Sequence, residues 1–453
     1  MNITIKVIDT LLNFLASEKT KTHKMSILPP LTLRKDHKNG VSQFQNLSSQ
    51  LPSFDHNSIN YKALKERAFN LRWATVPNGV LPLTAADPDF PVAPEISQAI
   101  QDYAKVGVFS YGPSEGLPSF KEAAAKVLLE RKKVNCNANL ILPIDGAASG
   151  MFTVARMVLS PGDEAIIFDP VDFLFQQSVS AAGGKVVRLP FNLKDNTFDK
   201  EQLEGLVTSR TKMICVCNPH NPLGRVFTAK ELEIIGKVAV ENKLWIMNDE
   251  IWSDIIYSGT TFNSIANVHP WVAERTITIH GFSKTFGLAG MRIGYIAAPN
   301  EKVYQQLVTA SRVSSTAAGV TTLSQIAATV AYEKCWYWVD GFLEHLEKVK
   351  DYAVSRLNNM NGVHCKIPEG TYVLFINIES FGVSEEVMAD YLMKKAKVAV
   401  VPGAAKWFGP SAKGHIRLCF STSMVVIKAA LDRIELALIK LRIKERSKVF
   451  DNQ

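Results

Sequence analysis

Short apolar runs that break off in polar or acidic residues, set among stretches of helical periodicity, constrain this chain more than any other feature. Residues 243–252 read Lys243-Leu244-Trp245-Ile246-Met247-Asn248-Asp249-Glu250-Ile251-Trp252, an apolar run closed by two acids. It fits a buried strand with a carboxylate at its C-terminal end, the edge where open α/β sheets bind ligands. Met213-Ile214-Cys215-Val216-Cys217 is a second strand-like run, and helical patterns over 94–106, 117–131 and 228–242 lie among such strands. The alternation predicts an α/β fold: a mostly parallel sheet with helices on both faces.

The chain has 453 residues, 47% hydrophobic and 21% charged, enough for two domains with a substantial core. A break near 314–319 precedes a long helical region, and 363–377 reads as strand, turn, strand. We therefore expect a large domain over 85–319 and a smaller α+β domain formed by 59–84 with 320–447. Residues 1–58 stand apart as an extension. There Ile3, Ile5, Val7, Ile8, Leu11, Leu12, Phe14 and Leu15 form an apolar stretch too short to span a membrane. Asp9 and Glu18 weigh against an organelle-targeting helix, leaving an arm on a partner subunit or an unstructured segment.

A formal charge of +8 suits anionic substrates, but without a basic stripe interleaved with aromatics it gives no nucleic-acid footprint. Cys136, Cys215, Cys217, Cys335, Cys365 and Cys419 include no C-x-x-C pair and read as reduced core thiols, which points to the cytoplasm. No metal-ligand spacing accompanies them, so no metal site is expected.

Four segments carry chemistry. Ser283-Lys284-Thr285-Phe286-Gly287-Leu288-Ala289-Gly290-Met291-Arg292-Ile293-Gly294 places an amine nucleophile eight residues before a guanidinium. A lysine can condense with an aldehyde cofactor, and a planar fork of donors can clamp a phosphate on the same molecule. Taken alone, such a lysine and arginine are more often a solvated face. Asp249 can pair with a protonated ring nitrogen, although an acid capping the following turn fits Asp249 or Glu250 almost equally well. Asn218-Pro219-His220-Asn221-Pro222-Leu223-Gly224 is a proline-fixed turn able to present the Asn221 amide. His220 within it reads as a residue satisfying local hydrogen bonds rather than as a general base. Gly146-Ala147-Ala148-Ser149, between a strand and a helix, offers small side chains that let an anion reach free N–H groups, though close packing explains it as well.

Together these segments resemble the class I/II aminotransferase superfamily, the fold-type I enzymes of pyridoxal 5'-phosphate, over roughly residues 80 to 440. The resemblance implies that Lys284 is the cofactor-bound lysine and proton shuttle, Asp249 the partner of the pyridine nitrogen, and Asn221 the donor to the ring oxygen. It implies that Arg292, Ala147 and Ala148 hold the phosphate and that Ser283, beside Lys284, also lines the cofactor. The segment Ser110-Tyr111-Gly112-Pro113-Ser114-Glu115-Gly116 is similar to one whose tyrosine reaches the phosphate of a neighbouring subunit, so Tyr111 and a homodimer follow from the resemblance. Gly414-His415-Ile416-Arg417 resembles the segment whose arginine grips the substrate carboxylate, and Ala86 falls in a substrate-side motif. The implied substrates are an L-amino acid and a 2-oxo acid.

Three positions depart from the family pattern. Trp252 stands where many members have a tyrosine, and indole N–H donates but cannot accept. Asp172 occupies the place of a ring-stacking aromatic, with Phe173 next to it as the substitute if the loop shifts by one residue. Gly281 replaces a phosphate-binding hydroxyl. The motifs also resemble carbon–sulfur β-lyases of the cystathionine β-lyase kind, which share the opening proton abstraction. The sequence leaves that branch open.

Overall fold

The computed structural model describes residues 52–315 and 318–450, and the expectations for the N-terminal stretch lie outside them. A seven-stranded sheet forms the centre, built from β2 (Ile141–Ile144), β3 (Glu164–Asp169), β4 (Lys185–Pro190), β5 (Thr211–Cys217), β6 (Trp245–Asp249), β7 (Thr276–Gly281) and β8 (Gly294–Ala297). A short strand, β1 (Leu81–Pro82), precedes them and lies outside this sheet. The order is β2-β8-β7-β6-β5-β3-β4, and β8 alone runs antiparallel to its neighbours. Its direction is a product of tertiary pairing and has no signature in its own residues.

Side chains alternate across the sheet and sort onto two apolar layers. Ala165, Ile167, Met213, Cys215, Met247 and Ile279 pack on one face with residues such as Met151, Val154, Phe175, Val303 and Leu307. Ile166, Phe168, Ile214, Val216 and Ile246 face the other way, onto Leu232, Ile235 and Val238. The helices involved begin where the sequence sets them. The helix Ala229–Glu241 starts in a capping box, with Thr228 and Glu231 satisfying each other's backbone donors. Pro94–Lys105 and Pro118–Lys132 each place proline at the first turn, where its missing N–H has no cost.

A second, antiparallel sheet is made of β9 (His364–Cys365), β10 (Val373–Asn377), β12 (Val401–Pro402) and β13 (His415–Cys419), in the order β12-β13-β10-β9. The remaining strand, β11 (Val398–Ala399), pairs in parallel with β1. The backbone then continues as a strap: Leu83 N–H donates to Ala399 at 2.8 Å, and its carbonyl accepts from Cys419 at 3.0 Å. Among the described residues no helix is long and apolar enough to cross a membrane.

The strap is anchored by an ion pair with no exposure to solvent. Arg72 meets Asp89 directly, Trp73 Nε1 donates to the same carboxylate at 2.7 Å, and Arg72 also reaches Cys419 Sγ at 3.3 Å. Breaking a buried pair on one side leaves an uncompensated charge. Arg72→Met is therefore expected to cost about 3–5 kcal/mol, seen as a lower midpoint in urea unfolding. An unchanged midpoint would show that Asp89 does not need its cation.

Candidate active site

The parallel strands β5, β6 and β7 end in register, with Cys217 opposite Asp249 and Asp249 opposite Ile279. The loops leaving them, with those after β2 and β3, converge on one cavity of about 230 Å³. Its walls bring together Ala86, Ala147, Ala148, Asn221, Asp249, Trp252, Ser283, Lys284, Arg292 and Arg417. Of the residues that the resemblance assigns to the site, Tyr111 lies elsewhere: it is 93% exposed, in a loop that also exposes Val108 and Phe109.

Lys284 Nζ donates to the Ala86 carbonyl at 2.6 Å and lies 5.3 Å from the centre of the Trp252 ring. Withdrawal from bulk water lowers the pKa of this amine, against the opposing attraction of Asp87. A lowered pKa keeps more of the lysine in its nucleophilic, neutral form. Desolvation has the reverse effect on Asp249, pushing its carboxyl up to about 7; the Ile251 N–H opposes this, and the charges of Asp172 and Glu250 add to it. A cation beside Asp249 would restore its ionised form.

The two acids that end β6 part company. Glu250 turns into the protein, accepting from Asn248 Nδ2 at 2.7 Å and Ser264 Oγ at 2.6 Å. Asp249 faces the cavity and also caps the next turn through Ile251 N–H at 3.0 Å. The turn cap therefore holds, and it leaves the Asp249 carboxyl facing the cavity.

Arg292 adopts a left-handed backbone, φ +48°, and its guanidinium sits over the glycine that begins the helix Ala147–Val158. A Cβ on Gly146, whose φ is +103°, would lie 3.1 Å from Arg292 Nη2. The first turn of that helix has no side-chain cap. Uncapped N–H groups, a helix dipole and a guanidinium, separated by a gap only glycine leaves open, make an anion cradle. With an amine, a carboxylate and this cradle in one cavity, the residues present fit pyridoxal phosphate. A side chain in place of Gly281 would crowd the end of Ile251, 3.0 Å from the position of its Cβ, and touch Ala147 at 3.5 Å.

Of the two possibilities at Asp172 and Phe173 the structure shows one, and the expectation for His220 needs correction. Phe173 does not substitute for the stacking aromatic; its ring packs on Trp407, 5.4 Å between centroids, while Asp172 lines the cavity. Asp172 keeps its place because it is the N-cap of the helix Phe173–Ala181, accepting from Leu174 N–H at 3.1 Å. His220 does not satisfy local hydrogen bonds through its ring. Both ring nitrogens are buried without a partner, the ring packs edge-on against Phe191 at 5.0 Å, and burial lowers its pKa to about 3. Only its backbone joins the turn, with N–H donating to Arg225 at 2.8 Å.

Sequence reasoning did not single out Cys217, Leu174, Phe175 and Ile251, which complete the walls, or Tyr372, whose ring meets Trp252 edge-on at 4.6 Å. They are apolar or neutral residues in core runs, and nothing local distinguishes those facing the cavity from those facing the core.

The raised pKa of Asp249 has a sign. The folded chain holds this proton at pH values where the unfolded chain, near 3.8, has released it, so the stabilising effect is full below about pH 4 and lost as pH rises through about 7. In the cofactor-free protein, Asp249→Asn is expected to gain stability relative to the parent between about pH 5 and about pH 8. Thermal unfolding measures the difference at each pH; a difference constant across that range would assign the titration to another group.

Comparisons with known proteins give the family. The family model for aminotransferases of class I and II matches residues 78–434. The chain is 32% identical over 361 residues to an aspartate aminotransferase of Pyrococcus abyssi, covering 79% of this chain and 91% of that one. It is likewise 32% identical over 362 residues to aromatic-amino-acid aminotransferase 2 of Thermococcus litoralis, again 79% and 91% of the two chains. Among solved structures, cystalysin of Treponema denticola, which contains a pyridoxal 5'-phosphate cofactor, superposes with a TM-score of 0.79 at 25% identity, over 86% of this chain and 100% of that one. This chain belongs to the class I and II aminotransferases, enzymes that work with pyridoxal 5'-phosphate.

Proposed function

We propose that the enzyme moves an amino group between an L-amino acid and a 2-oxo acid, with Lys284 as the catalytic base. The observation that carries this reading is the convergence of Lys284, Asp249 and Arg417 in one cavity beside the Arg292 cradle. Pyridoxal phosphate, when bound, supplies an electron sink that makes the substrate Cα–H acidic. Arg292 and the N–H groups at Ala147 and Ala148 hold a phosphate, while Ser283 lines the same wall. Asp249 keeps a ring nitrogen protonated by offering it a carboxylate. Asn221 donates to a ring oxygen, and Arg417 receives the substrate carboxylate with its planar fork. Lys284 Nζ takes the proton that leaves Cα. Trp252 forms a floor beside that amine and contributes no acceptor.

Arg417 is prepared for an anion. It is mostly buried, its Nε has no protein partner, and Phe408 lies 5.2 Å from its carbon centre. Desolvation lowers its pKa, with the charge of Asp172 opposing, so an entering carboxylate replaces lost hydration. We also assign residues 85–319 to one body and 59–84 with 320–447 to a second that closes on substrate. The exposed run of Val106, Val108, Phe109 and Tyr111 fits a homodimer contact that carries Tyr111 to the partner's phosphate, and the buried free thiols Cys215, Cys217, Cys335, Cys365 and Cys419 fit a cytoplasmic location.

Purified enzyme with pyridoxal phosphate is expected to convert 2-oxoglutarate to glutamate in the presence of one or more L-amino acids. Lys284→Ala should lower this rate at least about a hundredfold, and retention of substantial activity would overturn the assignment. Release of pyruvate, ammonia and a thiol from cystathionine, without amino transfer, would identify a carbon–sulfur β-lyase instead. Sedimentation should give a particle of about twice 50.1 kDa. Tyr111→Ala should weaken cofactor binding about tenfold, whereas a monomer with full cofactor affinity would remove Tyr111 from the site.

A further inference from the structure

Asp172 faces the cavity with part of its surface while the surrounding protein withdraws it from bulk water. Its two oxygens have separate duties. Oδ1 caps the helix Phe173–Ala181 through Leu174 N–H, and Oδ2 accepts from Asn221 Nδ2 at 2.9 Å. On its other side Asn221 accepts, through Oδ1, a hydrogen bond from Arg417 Nη1 at 3.1 Å. Arg417 Nη2 then donates to the Thr84 carbonyl at 3.0 Å.

A carboxylate only accepts and a guanidinium only donates. An amide placed between them has one satisfactory orientation, with its NH2 toward Asp172 and its oxygen toward Arg417. The flipped amide would set two acceptors and two donors face to face. The geometry points to Asp172 as a positioning residue for carboxylate recognition: acting through Asn221, it fixes the amide and thereby the orientation of the Arg417 fork. This inference rests on the reading of Arg417 as the group that meets the substrate carboxylate. A cap alone does not require an acid, because asparagine caps helices as well as aspartate does. The acid is needed at the other oxygen, where an asparagine could turn either its oxygen or its NH2 toward Asn221.

The substitution Asp172→Asn keeps the cap and the shape and removes the exclusive acceptor together with its charge. In the holoenzyme we expect an unchanged melting temperature, a kcat within about twofold of the parent, and a KM for the amino acid raised about tenfold, the worth of one charge-assisted hydrogen bond. Combined with Arg417→Lys, Asp172→Asn should raise KM no further than Arg417→Lys does alone, since the relay then has nothing to orient. An unchanged KM in Asp172→Asn, or additive effects in the double variant, would reduce Asp172 to a helix cap and overturn the proposal. If Asp172→Asn folds poorly, Asp172→Ser retains a capping oxygen and serves the same comparison. Calorimetric binding of 3-phenylpropionate, an unreactive carboxylate, reads the grip without turnover and should weaken about tenfold in the variant; equal binding overturns the relay. A parent enzyme that binds this probe but aminates no 2-oxo acid would sink the functional reading and leave the relay standing.

Discussion

Desolvation of charge is the constraint on which the site depends. Lys284, Asp249, Asp172 and Arg417 share a cavity of about 230 Å³, and for each the loss of water is the largest influence on its pKa. The shifts run in opposite senses, acids upward and bases downward, each a penalty on the charged form. A fold can hold such a set only if ordinary hydrogen bonds compensate. Here they come mostly from backbone atoms: the Ala86 carbonyl for the lysine, the Ile251 N–H for Asp249, the Leu174 N–H for Asp172 and the Thr84 carbonyl for Arg417. Backbone donors and acceptors do not change rotamer, which gives the charged side chains fixed geometry.

How much of this was legible in the sequence depends on whether the determining interactions are local. The helix over 229–241 was readable because Thr228 and Glu231 form a box within one turn, and the strand carrying Asp249 because an apolar run cannot be solvent-exposed along its length. The converging positions of Lys284, Asp249, Asn221, Arg292 and Arg417 were anticipated through spacing and family resemblance. The orientation of β8, the facing of Asp172 in preference to Phe173, and the unpaired ring of His220 were not readable. Distant residues enter each case, Trp407 for Phe173 and Phe191 for His220, although the cap that Asp172 makes is itself local. Arg72 was hidden for the same reason, since an arginine with no solvent exposure reads in sequence like any other surface cation.

The antiparallel sheet explains why Arg417 meets the cavity. In the β10–β13 ladder, Phe375 pairs with Arg417 and Asn377 with His415, and all four lie on one face because they are two residues apart or directly opposed. Phe375 and His415 stack at 4.5 Å, forming a flat wall beside the arginine, and Phe408 covers its guanidinium. A one-residue slip in this register would send Arg417 into the apolar layer behind, where Leu418 and Ile416 now pack.

The strap from Leu81 to Asp89 joins these parts. Its first residues are hydrogen-bonded to β11 and β13, its middle offers Thr84 O to Arg417 and Ala86 O to Lys284, and its end is fixed where Ser421 Oγ donates to the Asp87 carbonyl at 2.9 Å. Arg417 and Lys284 therefore contact the same short run of backbone, two residues apart. The Thr84 and Ala86 carbonyls thus tie both side chains to one stretch of backbone that is itself hydrogen-bonded to the strands β11 and β13. The buried ion pair of Arg72 with Asp89 sits at the far end of this strap and fixes the segment that Arg417 and Lys284 both contact.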